Sequence, residues 1–371
     1  MSSALPAAWA LAALVALARQ SDLAPLLAPI RAECGVPALA GLVLERGEVA
    51  AIGAVGERKA GSGVAVTIED RWHLGSCTKA MTATLIARLV ERGALTWDTT
   101  LADVFPERAD AMHAGFRRAT VRQLVDHRSG LPEDRSSGGL LALVAGSREP
   151  VRAQRLALLE HALAREPAAP PGEAHAYSNT GFILAGAVVE RSTGGTWETA
   201  IREGLFAPLG MASAGFGPPG SADEPGAIEE PWGHVGDAGR PIDPRAPLAS
   251  HPERYGPAGR VHATLRDWAK FIGLHLGVQR GACELLSAES LKAMHAPVAG
   301  ADYAAGFVVG ERPWSSGPVL AHQGSSASWH CTVWASPAES LAVLVVCNQG
   351  GDAAARACRA AAEALVRQAR H

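Results

Sequence analysis

Ser76-Cys77-Thr78-Lys79 opens a stretch with helical spacing of apolar residues. Residues three apart share a helix face, so this hydroxyl and this amine come within hydrogen-bonding reach. A serine hydroxyl is a weak nucleophile and needs a base. A lysine buried beside it gives up its charge, which an arginine does not. Arg supplies nearly all the basic residues here, and the only lysines are Lys59, Lys79, Lys270 and Lys292. A helix start adds free N–H groups and the positive end of the dipole, both favourable to a developing oxyanion. Together these imply acyl transfer through a serine. Alone, the tetrad also fits a capping serine followed by a surface lysine.

Two further clusters extend the pattern. Tyr177-Ser178-Asn179 follows the turn Pro170-Pro171-Gly172-Glu173 and starts a second helix. A phenol beside a lysine cation ionises below its usual pKa of about 10 and serves as a base. Asn179 offers a donor and an acceptor to the lysine or to a substrate amide. His322-Gln323-Gly324-Ser325 stands at the end of an expected strand, Val319–His322. Gly324 lets a substrate lie against the strand edge. The backbone N–H of Ser325 is then a second oxyanion donor beside that of Ser76. Taken singly, the tyrosine is half-buried packing and the glycine a turn. The nucleophile elbow, the phosphate-binding loop and the zinc-protease helix motif are all missing. The 13 histidines are spread singly, so neither a metal site nor a cofactor is expected.

S-x-x-K, Y-x-N and [KH]-x-G in this order resemble the serine β-lactamase and penicillin-binding-protein superfamily. The similarity is to its class C-like branch: class C β-lactamases, D-stereospecific peptidases and family VIII carboxylesterases. It runs from about Pro37 to Gln349. Asp126–Pro132 is similar to the family's H-T-S-G-L-P, Pro170–Phe182 to its P-G-x-x-x-x-Y-S-N-x-G-Y, and Leu205–Met211 to its L-F-x-P-L-G-M. The resemblance implies an acyl-enzyme on Ser76, general-base work shared by Lys79 and Tyr177, and orientation by Asn179. No counterpart of the class A glutamate base is recognisable, which favours Tyr177. His127 reads as a structural residue at a helix end. His322 and Gln323 stand where β-lactamases have K-T-G, whose cation and hydroxyl hold the β-lactam carboxylate. A neutral imidazole weakens that capture. The expected substrate is therefore a small-molecule ester or amide. A β-lactam or D-peptide is the alternative, with Arg260 after Pro257-Ala258-Gly259 as a possible carboxylate partner. A non-catalytic sensor of cell-wall peptides or β-lactams is the reading from another class.

The elements that must position these residues follow from periodicity. Helices are expected over residues 20–33, 79–92, 152–165, 180–192, 267–277 and 352–369. Thr120–Gln123 and Thr264–Asp267 have the spacing of capping boxes. Residues 39–44 and 49–55 read as a hairpin joined by Glu45-Arg46-Gly47-Glu48. Later strands are expected at 304–310, 319–322, 329–335 and 341–347. The fold expected is α/β (α+β): a five-stranded antiparallel sheet flanked by helices and built from both chain ends, at 19–98 and 255–371. A mainly helical domain, 99–254, is inserted, with a long Gly/Pro-rich loop at 212–254.

A net charge of −3 gives no basic surface for nucleic acid, and 48% hydrophobic with 19% charged residues is a globular composition. The apolar segment 1–18 ends in Ala16-Leu17-Ala18, which suggests export, although no basic residue precedes it. No other stretch reads as a membrane span. Six cysteines lack CxxC spacing. Cys331 and Cys347 fall on consecutive strands and are the candidate pair, against buried free thiols as the alternative.

Overall fold

The hairpin read from the sequence is the start of the main sheet in a computed structural model that describes residues 20–133, 147–220, 226–247, 249–278 and 285–370. The segment 1–18 and Cys283 lie outside the described residues. Strands β2 (Ala38–Glu45) and β3 (Glu48–Gly56) are joined by Arg46 and Gly47, with φ of 50° and 78°. Two successive residues with positive φ make the tight turn whose twist matches a hairpin. Strands β11 (Val319–Ser326), β12 (Trp329–Ser336) and β13 (Leu341–Cys347) follow one another antiparallel, and β13 pairs with β2. Segments from opposite ends of the chain thus lie side by side.

The sheet has eight strands rather than the expected five. The additions lie at the two edges: a two-residue piece too short to be read, and a stretch expected as one strand that is split in two. They are β1 (Ser21–Asp22), parallel to β3, and the pair β9 (Tyr303–Ala304) and β10 (Phe307–Gly310) beyond β11. The single strand expected at 304–310 is broken because Ala305 and Gly306 both have positive φ. A Cβ on Gly306 would stand 2.5 Å from the Ala80 backbone. That turn therefore presses on the helix that carries Lys79.

Strands β2 and β13 are buried on both faces, which is why they read as continuous apolar runs. One face, with Val43, Val343 and Val345, meets the helices Ala24–Cys34 and Asp352–Ala369. The terminal helix turns Ala354, Ala357, Ala361 and Leu365 inward and its arginines outward. The opposite face, with Leu42, Leu344 and Val346, belongs to the larger core and packs on the helix Leu265–His275. Thr78–Arg88 is buried throughout, so this part of the helix Thr78–Glu91 has no solvent stripe.

Cys331 and Cys347 are both free. Cys347 stands opposite His330, one residue out of register with Cys331. Neighbouring strand positions face opposite ways, so the two thiols lie on opposite faces and cannot pair. Thr120 makes a complete capping box with Gln123. Thr264 forms only the forward half, because the Asp267 carboxylate instead accepts from Ser213 and Lys270. That helix spans Leu265–His275. The stretch expected as a loop at 212–254 contains β5 (Gly215–Phe216), the hairpin β6 (Gly233–Val235) and β7 (Arg240–Ile242), and a 3-10 turn at Glu253–Tyr255. Strand β8 (Val261–Thr264) pairs with β4 (Arg71–His73) on one side and β5 on the other in a small second sheet.

Arg155, fully buried, ties the helix Val151–Leu163 to its neighbours. It donates to Glu190 and Glu198, each at 2.5 Å, and to the carbonyls of Arg254 and Glu253. Removing one partner of a buried pair leaves an uncompensated charge. Arg155→Ala should lower unfolding free energy by about 3–5 kcal/mol, measured by urea denaturation. A double Arg155→Met, Glu190→Leu variant should recover much of that loss.

Candidate active site

Ser76 is half-buried in a 3-10 turn, Gly75–Cys77, that runs directly into the helix Thr78–Glu91. Gly75 has φ of 48°, and a Cβ there would lie 2.9 Å from the backbone nitrogen of Ser325. Both conformation and contact demand glycine. The turn is clamped from the far side. Leu74 N–H donates to Val261 O at 2.8 Å, Val261 N–H to Thr78 Oγ1 at 3.1 Å, and Thr82 Oγ1–H to Pro257 O at 2.7 Å.

Lys79 is fully buried one turn beyond Ser76. Its Nζ donates to Ser76 Oγ at 3.0 Å, Asn179 Oδ1 at 2.6 Å and the carbonyl of Ala258 at 2.7 Å. Three acceptors match the three N–H bonds of an ammonium. The same nitrogen lies 4.9 Å from the centre of the Tyr177 ring and 5.7 Å from that of Phe182.

Tyr177 and Asn179 are delivered by two segments that grip each other. Ser178 caps the helix Asn179–Thr193 through Gly181 N–H. The corner at Asp126–Gly130 holds the approach to this helix: Ala176 N–H donates to His127 O, Gly172 N–H to Arg128 O, and Ser178 N–H to His127 Nδ1. His127 has φ of 57° and its ring packs 4.3 Å from that of Tyr177. Burial and the Lys79 charge hold its pKa well below the usual histidine value. It is a neutral support for Tyr177, consistent with the structural role read for it. Asp126 completes the corner by accepting from Ala305 N–H at 2.9 Å.

His322, Gln323, Gly324 and Ser325 lie within β11, which continues to Ser326 instead of ending at His322. A Cβ on Gly324 would fall 2.0 Å from Leu74 O, so only glycine lets β11 lie against the segment that leads into the turn Gly75–Cys77. His322 is buried and its Nδ1–H donates to Gln323 O at 2.8 Å. A carbonyl only accepts, so Nε2 carries the lone pair and faces the Tyr303 hydroxyl at 3.4 Å. Burial first, and the Lys79 charge second, lower the His322 pKa to about 3. Arg260 lies against Gly217, 3.1 Å from where a Cβ on that glycine would stand, and its Nε is buried without a hydrogen-bond partner.

All seven residues read as catalytic or substrate-binding therefore converge: Ser76, Lys79, Tyr177, Asn179, His322, Gly324 and Ser325. Sequence reasoning missed the Ala258 carbonyl as a third partner of Lys79. It also missed Tyr303, which lies beside His322, and the packing of the His127 ring on Tyr177. A backbone acceptor leaves no mark on residue type. Tyr303 gave a faint signal as one of only three tyrosines in the chain.

Fold and site together define a serine hydrolase. The Beta-lactamase family matches residues 23–368, and the chain belongs to that family. It is 30% identical over 299 residues to penicillin-binding protein 4 of Amycolatopsis lactamdurans, covering 78% of this chain and 75% of that protein. It is 28% identical over 215 residues to the unguisins hydrolase ungD' of Aspergillus campestris, covering 56% of this chain but only 38% of that protein. A class C beta-lactamase from Rhodobacter sphaeroides shares the fold, with a TM-score of 0.72 at 18% identity over 94% of this chain and 99% of that one.

The His322 ring should stay neutral from pH 8 to pH 5, read as unchanged imidazole NMR shifts. His73 shares a pKa of about 3, and His262, His295 and His330 lie at about 4, all lowered mainly by burial. Unfolded histidines titrate near about 6.5, so between these limits the unfolded chain binds more protons than the folded one. Stability present above about pH 6.5 should therefore be lost as pH falls toward 4, by up to ~1.4 kcal/mol per pH unit for each histidine. Urea midpoints at pH 7 and pH 5 measure this.

Proposed function

We propose that the chain hydrolyses ester or amide bonds through an acyl-enzyme on Ser76. The observation that carries this is the Lys79 amine held between Ser76, Asn179 and the Ala258 carbonyl. An ammonium with three acceptors has no lone pair, so in this state the serine proton goes to Tyr177. Tyr177 enters this step as the phenolate, and Lys79 stabilises that phenolate before the proton moves and the serine oxygen as it attacks. The N–H groups of Ser76 and Ser325 receive the oxyanion, supported by the close approach of Gly75 to Ser325. Asn179 orients Lys79 and the acyl group. Tyr177, reprotonated, gives its proton to the leaving group, and water then attacks the ester by the reverse path.

The substrate class follows from β11. A histidine with a pKa of about 3 offers no cation for a carboxylate, and Gln323 replaces the hydroxyl of K-T-G. This favours a neutral ester or amide. The likeness to a penicillin-binding protein supports a second reading, a β-lactam or D-peptide acyl donor. Export is part of the proposal through the apolar segment 1–18, and so is a sheet unit drawn from both ends of the chain with a helical insertion.

Ser76→Ala should lower p-nitrophenyl ester turnover at least ~10³-fold, and Lys79→Arg should not restore a Lys79→Met loss. Tyr177→Phe should cost ~10²–10⁴-fold in kcat. Intact mass after exposure to esters, β-lactams and D-Ala-D-Ala peptides should show an adduct at Ser76. A stable penicillin adduct would favour the second reading. Unchanged turnover in Ser76→Ala would sink the nucleophile assignment, and no labelling by any acyl donor would favour a sensor.

A further inference from the structure

The thiols that meet in this fold are not the pair suggested by the strand pattern. Cys77 follows Ser76 directly, and its sulfur lies 3.5 Å from that of Cys331. Cys331 stands on β12 opposite Gly324 and donates its S–H to Leu74 O at 3.2 Å. A Cβ on Gly324 would come within 2.5 Å of the Cys331 sulfur. The thiol pair thus fills the floor beneath the two segments that carry the oxyanion donors, the turn Gly75–Cys77 and the strand around Gly324–Ser325. Both cysteines are buried, and neither has a part in the acyl transfer. Cys347 lies on the opposite face of the sheet.

We propose that Cys77 and Cys331 are an oxidisable dithiol whose closure to a disulfide switches off acylation at Ser76. The switching part rests on Ser76 being the nucleophile; the disulfide part does not. The oxidant is a hydroperoxide, of which hydrogen peroxide is the smallest. One thiolate attacks a peroxide oxygen, the O–O bond breaks, and the departing hydroxide takes up a proton as water. The resulting sulfenic acid is attacked by the second sulfur. The S–S bond forms as the S–O bond breaks, and a second water leaves with the remaining thiol proton. Two thiols and one peroxide give one disulfide and two waters.

A disulfide needs its sulfurs at about 2.05 Å, so these two must approach by about 1.5 Å. The glycine contacts at Gly75 and Gly324 leave no room for that movement to be absorbed locally. It shifts the Ser76 turn against β11, and a misplacement of ~1 Å at a reacting centre costs about 10²-fold in rate. Burial and the neighbouring Cys331 thiol hold the Cys77 pKa well above the usual range, so the reaction with peroxide is slow at neutral pH and stoichiometric excess is needed.

The test uses the full chain with Cys34→Ser and Cys283→Ser, which leaves Cys77, Cys331, Cys347 and Cys358 as the remaining thiols. After hydrogen peroxide and quenching, intact mass should fall by the mass of two hydrogens. Peptide mapping should show a Cys77–Cys331 link. Ester turnover should fall more than tenfold and return on dithiothreitol. Cys331→Ala, or Cys331→Ser if the alanine variant does not fold, should keep its own untreated turnover after the same exposure. Absence of the linked peptide overturns the site. A linked enzyme with undiminished turnover, or an equal loss in the Cys331 variant, overturns the switch. If Ser76→Ala retains turnover while the link still forms, the nucleophile assignment fails and the disulfide stands.

Discussion

A buried amine that must be satisfied from three directions governs this molecule. Lys79 sits at zero exposure, where an uncompensated charge is expensive. Its partners are a side chain in the turn that leads into its own helix, a side chain on the helix Asn179–Thr193, and a carbonyl from the segment before β8. Each must arrive within hydrogen-bonding distance, so three parts of the chain are fixed relative to one another by one nitrogen. Tight glycine contacts serve the same end. Gly186 must lack a side chain because a Cβ would lie 2.2 Å from Pro257, and Pro257 positions the carbonyl that follows it.

The site was legible where chemistry depends on residue type and short spacing. Ser76 and Lys79 three apart on a helix, and Tyr177 and Asn179 at a helix start, are patterns that backbone geometry converts directly into contacts. The strand order was legible in its centre, because β2 and β13 are long apolar runs. It failed at the edges, where β1 and β9 are two residues each and pair only because neighbouring strands offer free backbone groups. It also failed at His322, where a turn was expected. Gly324 suggests a break in the strand by type, but its function is to let β11 pass close to Leu74. A glycine that permits contact and a glycine that ends a strand look alike in sequence.

Electrostatics changed the weight of one substitution. A histidine in place of the lysine of K-T-G would be mostly neutral in water. In the structure it is neutral across the physiological range, because burial and a nearby ammonium act in the same direction. Its tautomer is fixed by a carbonyl, and its free lone pair is turned to Tyr303 rather than outward. The cationic character of the cleft is therefore concentrated on Lys79.

The distribution of that site along the chain has a consequence for biosynthesis. Ser76 and Lys79 emerge from the ribosome early, but the Ala258 carbonyl comes some 180 residues later, and Ser325 later still. Until those segments dock, the amine lacks its carbonyl acceptor and the Ser76 turn its contact with β11. Under the proposed assignment of Ser76 as nucleophile, reactivity therefore appears only when the last strands close the sheet, and a nascent or truncated chain is protected from acylating itself on the contents of the cell. Long-range closure, which slows folding, here doubles as a delay on the appearance of a reactive serine.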